Sequence, residues 1–261
     1  MRALKIAAAG MSAQQLRVEV TSNNLANMST TGYNARRAGF ADLHYQQVLA
    51  PGALSSATGT LVPTGVQLGL GVRASAVAVL QSQGALKQTG GELDLAIEGG
   101  GFLAVIRPDG STAYTRDGAL NRSPDGELVT ALGFPVADAI RIPADASNIM
   151  INAEGTVYAR FADRPDHQEL GQIQLYRFAN PQGLGATGDN LFSETAASGG
   201  AVSGLPGRDG LGTLRQGFLE ESSVDPVREV TELIAAQRGY ELNSKVISAA
   251  DQMLGAMVQV R

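Results

Sequence analysis

An α+β fold is expected, with long helices at the two ends of the chain paired as a coiled-coil-like layer and a central all-β domain, sandwich- or barrel-like, inserted between them. Three observations predict it. Apolar residues recur every three to four positions at both termini, the period of a helix face. Short strand patterns punctuated by Gly fill the middle of the chain. The 261 residues combine 44% hydrophobic residues and 32 glycines with only 5% aromatics and 17% charged residues, which suits a turn-rich β domain beside closely packed, Ala-rich helices.

The first helix is read over Met1 to Asn27. Leu4, Met11, Val18 and Leu25 recur every seven residues, and Ile6, Ala9, Ala13, Leu16 and Val20 lie off that seam. Asn23, Asn24 and Asn27, then Thr30, Thr31 and Gly32, supply turn chemistry, so the helix is expected to end there with a defined exit. From Ala38 to about Gly65 no period persists; Pro51, Gly52, Gly59, Pro63 and Gly65 describe an extended segment or a plain linker. Val66 to Leu80 reads as strands. Strands are then expected at Phe102–Arg107, Thr112–Thr115, Ala119–Arg122, Glu127–Leu132, Ile149–Ile151, Thr156–Phe161 and Gln172–Phe178. Pro108-Asp109-Gly110, Asp117-Gly118 and Pro124-Asp125-Gly126 supply the turns between the earlier ones. Ala179 to Gly212 is loop-rich.

The last helix is expected to start at Pro226, capped by Asp225, because proline's missing N–H costs nothing at a first helical position. With no further Pro it can run about 35 residues, roughly 50 Å at 1.5 Å per residue. Val230, Leu233, Tyr240, Ile247, Leu254 and Val258 form one apolar stripe; Val246, Ala249, Met253, Ala256 and Val260 form a second, with Met257 in the same apolar last turns. A two-helix pair buries one stripe from each helix and leaves the other in water, so the second asks for neighbouring subunits. Periodicity equally allows both ends to pack on their own domain as ordinary buried helices. The chain thus divides into residues 1–35, an extended bridging segment 36–65, a β domain 66–214, and a return segment with helix, 215–261, packing on 1–35.

Chemistry is sparse. The net charge of −5 and the lack of a Lys/Arg cluster argue against nucleic acid, and no run approaches the ~18 apolar residues of a membrane span. Cys is absent, which removes disulfides and thiolate chemistry. The apolar run after Arg2 is broken by Lys5 and is too short for a signal-peptide core, so export would keep the first helix. Gly69-Leu70-Gly71-Val72-Arg73-Ala74 and Gly183-Leu184-Gly185-Ala186-Thr187-Gly188 match a dinucleotide fingerprint in letters but not in a strand–turn–helix context. His44 and His167 lie far apart, as surface histidines do. Glu92, Asp94, Glu98, Asp109 and Asp117 read as solvated carboxylates rather than a glycosidase pair. Asp163, Asp166 and Glu169 lack the spacing of a calcium loop. Neither cofactor nor metal is expected, and no catalytic residue.

Three sets of motifs carry a resemblance. Asn23-Asn24-Leu25-Ala26-Asn27 with Thr31-Gly32-Tyr33 resembles the N-terminal signature of bacterial flagellar rod and hook proteins. Asp94-Leu95-Ala96-Ile97, Gly101-Phe102 and Tyr114-Thr115-Arg116-Asp117-Gly118 resemble phrases of that family's middle domain. Gln237-Arg238-Gly239-Tyr240-Glu241 and Asn243-Ser244-Lys245 resemble its terminal helix. The motifs occur in order over nearly the whole chain. Met28-Ser29 depart from the commoner Val-Asn, Leu103 from a second aromatic, and Gly239 from Ala, the last costing the helix about 1 kcal/mol.

The resemblance implies a structural subunit of the flagellar basal-body rod rather than an enzyme. Its length fits the distal part of the rod better than the short proximal subunits or the longer hook subunits; a β-bearing proximal subunit is the near alternative. A periplasmic carbohydrate-active enzyme and an adhesin-like β module are the alternatives of other classes. Implied partners are further copies of the chain, proximal rod proteins, the hook protein, outer ring proteins acting as a bushing, and the flagellar type III export apparatus. Leu4, Met11, Val18, Leu25, Leu233, Tyr240, Ile247, Met253, Leu254, Met257 and Val258 are the expected helical interface. Leu49, Pro51, Leu54, Leu61, Val62 and Pro63 are expected to bridge subunits.

Overall fold

The computed structural model describes residues 2–50, 64–161 and 164–259. The described chain opens with helix α1 (Arg2–Ala26) and closes with helix α2 (Pro226–Gln259), with short strands between. Two compact units result. Unit 1 holds residues 1–25, 36–78 and 225–261; unit 2 holds residues 26–35 and 79–224.

In unit 1 the helices are joined by strands β1 (Arg36–Asp42), β2 (Tyr45–Leu49), β3 (Val66–Gly69) and β4 (Val72–Val79). They form two-stranded ribbons, β1 with β4 and β2 with β3, the latter in the register Tyr45↔Gly69 and Gln46↔Leu68. Two expectations therefore change. Residues 36–49 are strands rather than linker, and 66–78 belong with the helices rather than with the β domain. The reason is that every side chain of β2 is exposed, so backbone pairing makes the ribbon without the apolar alternation by which strands are read. The fingerprint at Gly69 leads into β4, a strand, and not into a helix.

The α2 start follows its local chemistry. Asp225 Oδ1 accepts from Val227 N–H (3.0 Å) and Arg228 N–H (3.3 Å), satisfying two of the four donors a helix start leaves open. Helix α1 ends at Ala26, inside the Asn-rich stretch and one residue short of the expected Asn27.

Unit 2 continues with β5 (Leu86–Gln88), β6 (Leu95–Glu98), β7 (Leu103–Ile106), β8 (Thr112–Thr115), β9 (Leu120–Arg122), β10 (Leu128–Thr130), β11 (Ala146–Ile151), β12 (Thr156–Phe161), β13 (Arg164–Gln172) and β14 (Leu175–Arg177). The stretch expected to be loop adds β15 (Gly185–Gly188), β16 (Leu191–Ser193) and β17 (Val202–Gly204), and the return adds β18 (Thr213–Gln216) and β19 (Phe218–Glu220). The return segment 215–224 is thus part of this unit, because β18 pairs with β6 and β19 with β5. The remaining sheets are β15-β16-β8-β7, β11-β12-β13, β10-β9 and β14-β17.

Leu95, Ile97, Leu103, Leu128, Ile142, Val157, Ile173 and Leu175, among others, make one apolar core. A second is aromatic: Phe102, Tyr114, Phe178 and Phe192 meet edge to face, with Tyr114 and Phe178 centroids 4.8 Å apart. The buried Tyr114 ring still places its hydroxyl on Glu194; burial first, then that hydrogen bond, push its pKa up.

Candidate assembly interface

The geometry of unit 1 decides what its helices can do. Four contacts fix their pairing. A Cβ at Gly10 would stand 2.7 Å from Asn243 Oδ1, and one at Gly239 would stand 3.0 Å from the Gln14 side chain. Arg17 Nη2 donates to Glu232 Oε2 at 2.6 Å, and Asn24 Nδ2 to Glu229 Oε2 at 3.2 Å. As the α1 number rises the α2 number falls, so the helices run antiparallel. Gly10, Arg17 and Asn24 are spaced by seven, with Gln14 between. The seam therefore follows a heptad, but one of small and polar residues.

Asn24 completes the seam on the ribbon side. Its side-chain amide donates to Arg36 O (2.8 Å) and accepts from Arg36 N–H (2.9 Å), pairing with that residue as a neighbouring strand would. The carboxylates opposite do not disturb this arrangement, since Arg17 meets Glu232. Both of those side chains are partly exposed, so their bond adds at most ~1 kcal/mol. On the ribbon, Gly71 (φ +118°) lies so close to α1 that a Cβ there would be 3.2 Å from Ala9 Cβ.

The consequence for the apolar residues is the opposite of a buried stripe. Leu4, Met11, Val18 and Leu25 flank the seam half-buried, as do Leu233, Ile247 and Leu254, while Tyr240 and Met253 are exposed. The side chains of Met257 and Val258 lie outside the described residues. At 100° per residue, Val227, Val230 and Ile234 fall on the side of α2 away from Glu232, Gly239 and Asn243, while Leu242, Val246 and Met253 fall beside the seam face. All six are exposed, Leu242 at 63% and Met253 at 62%. The β2–β3 ribbon adds exposed Tyr45, Val48, Leu49, Val66 and Leu68. Of the bridging residues only Leu49 is described; Pro51, Leu54, Leu61, Val62 and Pro63 lie outside.

The signature residues divide by role. Asn24, Gly32 and Tyr33 are buried. Asn243 is half-buried, donating to Gly239 O at 2.8 Å and facing Gly10. Gln237, Arg238, Tyr240, Glu241, Ser244 and Lys245 are exposed on α2, and Asn23 is exposed on α1. Asn27 is half-buried and its side chain accepts from the Thr30 hydroxyl at 3.1 Å.

Among the described residues no group of three or more His, Asp or Glu is placed to hold a metal, and no helix is long and apolar enough to cross a membrane. His44 and His167 are exposed. Asp94 accepts from the Thr89 hydroxyl, Asp117 from Ala119 N–H, and Glu98 meets Arg215.

Comparison with known proteins agrees with the geometry. Residues 4–34 match the family model of the flagella basal body rod protein, 96–159 the flagellar hook protein FlgE/F/G D1 domain, and 215–260 the flagellar basal body rod FlgEFG protein C-terminal model. A flagellar basal-body rod protein FlgG of Caulobacter vibrioides is 51% identical over 261 residues, covering 100% of both chains. This chain belongs to the flagellar basal-body rod protein family. Relatives of the same description in Agrobacterium fabrum and Bacillus subtilis are 50% and 38% identical, covering 97% and 100% of this chain, and 97% and 99% of their own. As a rod protein of the distal type, the chain is a structural subunit of the flagellum and not an enzyme. Sequence reading missed the seam residues Gly10, Gln14, Arg17, Glu229 and Glu232. Seven-residue spacing applied to small and polar residues would have found the row Gly10, Arg17 and Asn24, but neither Gln14 nor the pairing with Glu229 and Glu232.

Proposed function

We propose that the subunits polymerise into a helical, tubular drive shaft that passes motor torque to the hook, with the paired helices of unit 1 as its packing layer. The observation that carries this reading is the set of large apolar side chains left exposed on α2 after it has paired with its own partner helix. The intrachain seam uses Gly, Gln, Arg, Asn and Glu, so apolar residues that a monomer would bury are left for other copies of the chain. Each Leu or Val fully buried there contributes about 1.5–3 kcal/mol, repeated at every subunit. The first partner is therefore the chain itself. Proximal rod proteins, the hook protein, the outer ring proteins and the export apparatus are the further partners of this reading, with a place in the rod spanning the periplasm.

The stretch from Gln46 to Val66 is proposed to tie neighbouring subunits together. Its flanking ribbon supports this, since β2 and β3 expose Tyr45, Val48, Val66 and Leu68 on paired backbone. Lying along a second copy would give those groups partners.

Leu242→Asp tests the main reading. At an exposed position the change should leave the thermal midpoint of the dilute protein within about 2 °C of wild type, yet abolish polymers seen by electron microscopy and sedimentation. Polymers of normal length, formed at the wild-type concentration, would remove α2 from the packing layer.

A further inference from the structure

Three stretches of unit 2 adjoin the points where the chain passes to or from unit 1: those ending at Ala35 and Val224, and the one beginning at Val79. They are laced together. Gly32 N–H donates to Glu220 O (2.8 Å), Ser223 N–H to Tyr33 O (3.0 Å), Ala35 N–H to the Ser223 hydroxyl (3.0 Å), and Leu80 N–H to Ala35 O (2.8 Å). The Asn34 amide, oriented to satisfy both, donates to Leu80 O and Ser82 O at 3.2 Å.

One ion pair lies at the centre of this lacing. Arg116 and Glu220 are 6% and 2% exposed. Arg116 Nε and Nη2 both reach Glu220 Oε2, at 2.9 and 2.8 Å. Nη1 donates to Gly101 O (2.9 Å) and Nη2 also to Gly99 O (3.0 Å). The second carboxylate oxygen of Glu220, Oε1, accepts from Gly84 N–H at 3.0 Å. Gly32 (φ +64°) is pressed on the same residue from the other stretch: a Cβ there would be 2.8 Å from the Arg116 carbonyl carbon.

Burying two charges costs several kcal/mol per ion before their attraction repays it, and matched apolar side chains often hold a site as firmly. Apolar contact has no direction, however, whereas a planar guanidinium and a carboxylate fix angle as well as distance. Directional bonding matters most where force enters a body through a few chain crossings. We propose that Arg116 and Glu220 are positioning residues that pin the register of the three crossing stretches, so that load carried by the helices is delivered to unit 2 without those stretches slipping. The load-carrying half of this rests on the drive-shaft reading given above; the pinning half does not.

The test uses the full-length chain and two variants, Arg116→Met and the double variant Arg116→Met/Glu220→Leu. Native-state hydrogen exchange compares the amides of Gly32, Leu80, Gly84 and Ser223 with core amides of Ala104 and Ala159. In the double variant, which leaves no buried charge unpaired, the first group should lose about tenfold or more of its protection while the core changes less than about threefold. Arg116→Met alone, which leaves the Glu220 carboxylate buried without its cation, should cost the first group more than the double variant does. The double variant should also keep its thermal midpoint within about 3 °C. An equal loss in both groups would reduce the pair to general stabilisation, and no loss would remove it altogether; either outcome overturns pinning. Cells carrying the double variant are then examined by bead rotation. Normal speed at low viscous load with slowing or stalling at high load is expected; wild-type speed at every load overturns the load-carrying role. Failure of the wild-type chain to polymerise would instead overturn the drive-shaft reading and leave the exchange result standing.

Discussion

Gly118→Ala should unfold unit 2 far more readily than its chemistry suggests, because Gly118 sits where two backbones touch. A Cβ at this position would lie 1.6 Å from Leu95 O and 2.7 Å from Leu95 C, whereas real Cβ atoms essentially never come within 3.0 Å of another heavy atom. The strands must therefore open by more than an ångström. That movement breaks the bond from Leu95 N–H to Gly118 O (3.0 Å) and strains the bridge of Asp94 to Ala119. It also displaces Leu95, which is 1% exposed in the main core. One or two backbone hydrogen bonds at about 1 kcal/mol each, with about 1–3 kcal/mol for a core forced out of register, give a loss of ~2–5 kcal/mol. For a unit of this size that lowers the midpoint by roughly 4–20 °C. The control is Gly133→Ala. Gly133 has φ +85° but nothing within 4 Å of the added methyl, so only the left-handed backbone is penalised, at about 1–2 kcal/mol. Urea and thermal unfolding of the full-length variants, followed by the near-ultraviolet signal of the buried tyrosines, measure both. Equal losses for the two variants, or a Gly118→Ala loss below 1 kcal/mol, would refute the argument from close backbone approach.

Other outcomes follow from the two units separately. Asn24→Leu removes both bonds to the Arg36 backbone and the one to Glu229, leaving buried backbone groups unpaired; a loss of ~2–3 kcal/mol from unit 1 is expected, seen as helical circular dichroism melting earlier. Gly10→Val should separate the helices, because its side chain meets Asn243 at 2.7 Å, whereas Gly239→Ala meets only the movable Gln14 side chain and should be neutral or gain up to about 1 kcal/mol from helix propensity; crosslinking yield between cysteines placed at Gln14 and Gly239 reports the difference for Gly10→Val. Asp138 accepts from Gln174 N–H, and burial raises its pKa above 3.8 despite that bond. A raised acid binds its proton more tightly folded than unfolded, so its contribution to stability is complete below pH 3.8 and is lost as pH rises through the folded value. Asp138→Asn should therefore stabilise unit 2 at neutral pH and flatten that part of the pH–stability curve; an unchanged slope would show that the carboxyl is not held in a desolvated site.

The sequence alone determined what depends on near neighbours. Asp225 caps α2 through amides two and three residues away, and the Pro-Asp-Gly turns bend the β meander at Gly110 and Gly126, where φ is positive, so Thr112–Thr115 and Thr156–Phe161 came out as read. The family signature was legible for the same reason, as runs of adjacent letters. What it could not determine was which face of a helix meets what. Leu4, Met11 and Val18 form the more conspicuous heptad, yet the seam runs through Gly10, Arg17 and Asn24, because close approach and paired polar groups hold α1 on α2 while that apolar row lies half-buried at its flank. Strand β2 escaped notice because an exposed ribbon is held by backbone pairing and leaves no alternation in the letters, and β1 because its half-buried positions carry Arg36, Ala38, Gly39 and Ala41 rather than large apolar residues. The unit boundaries were decided by partners far along the chain: β19 returns to β5, and Arg116 finds Glu220 across 104 residues. Such pairings depend on directions in space, and a linear pattern carries distance along the chain only.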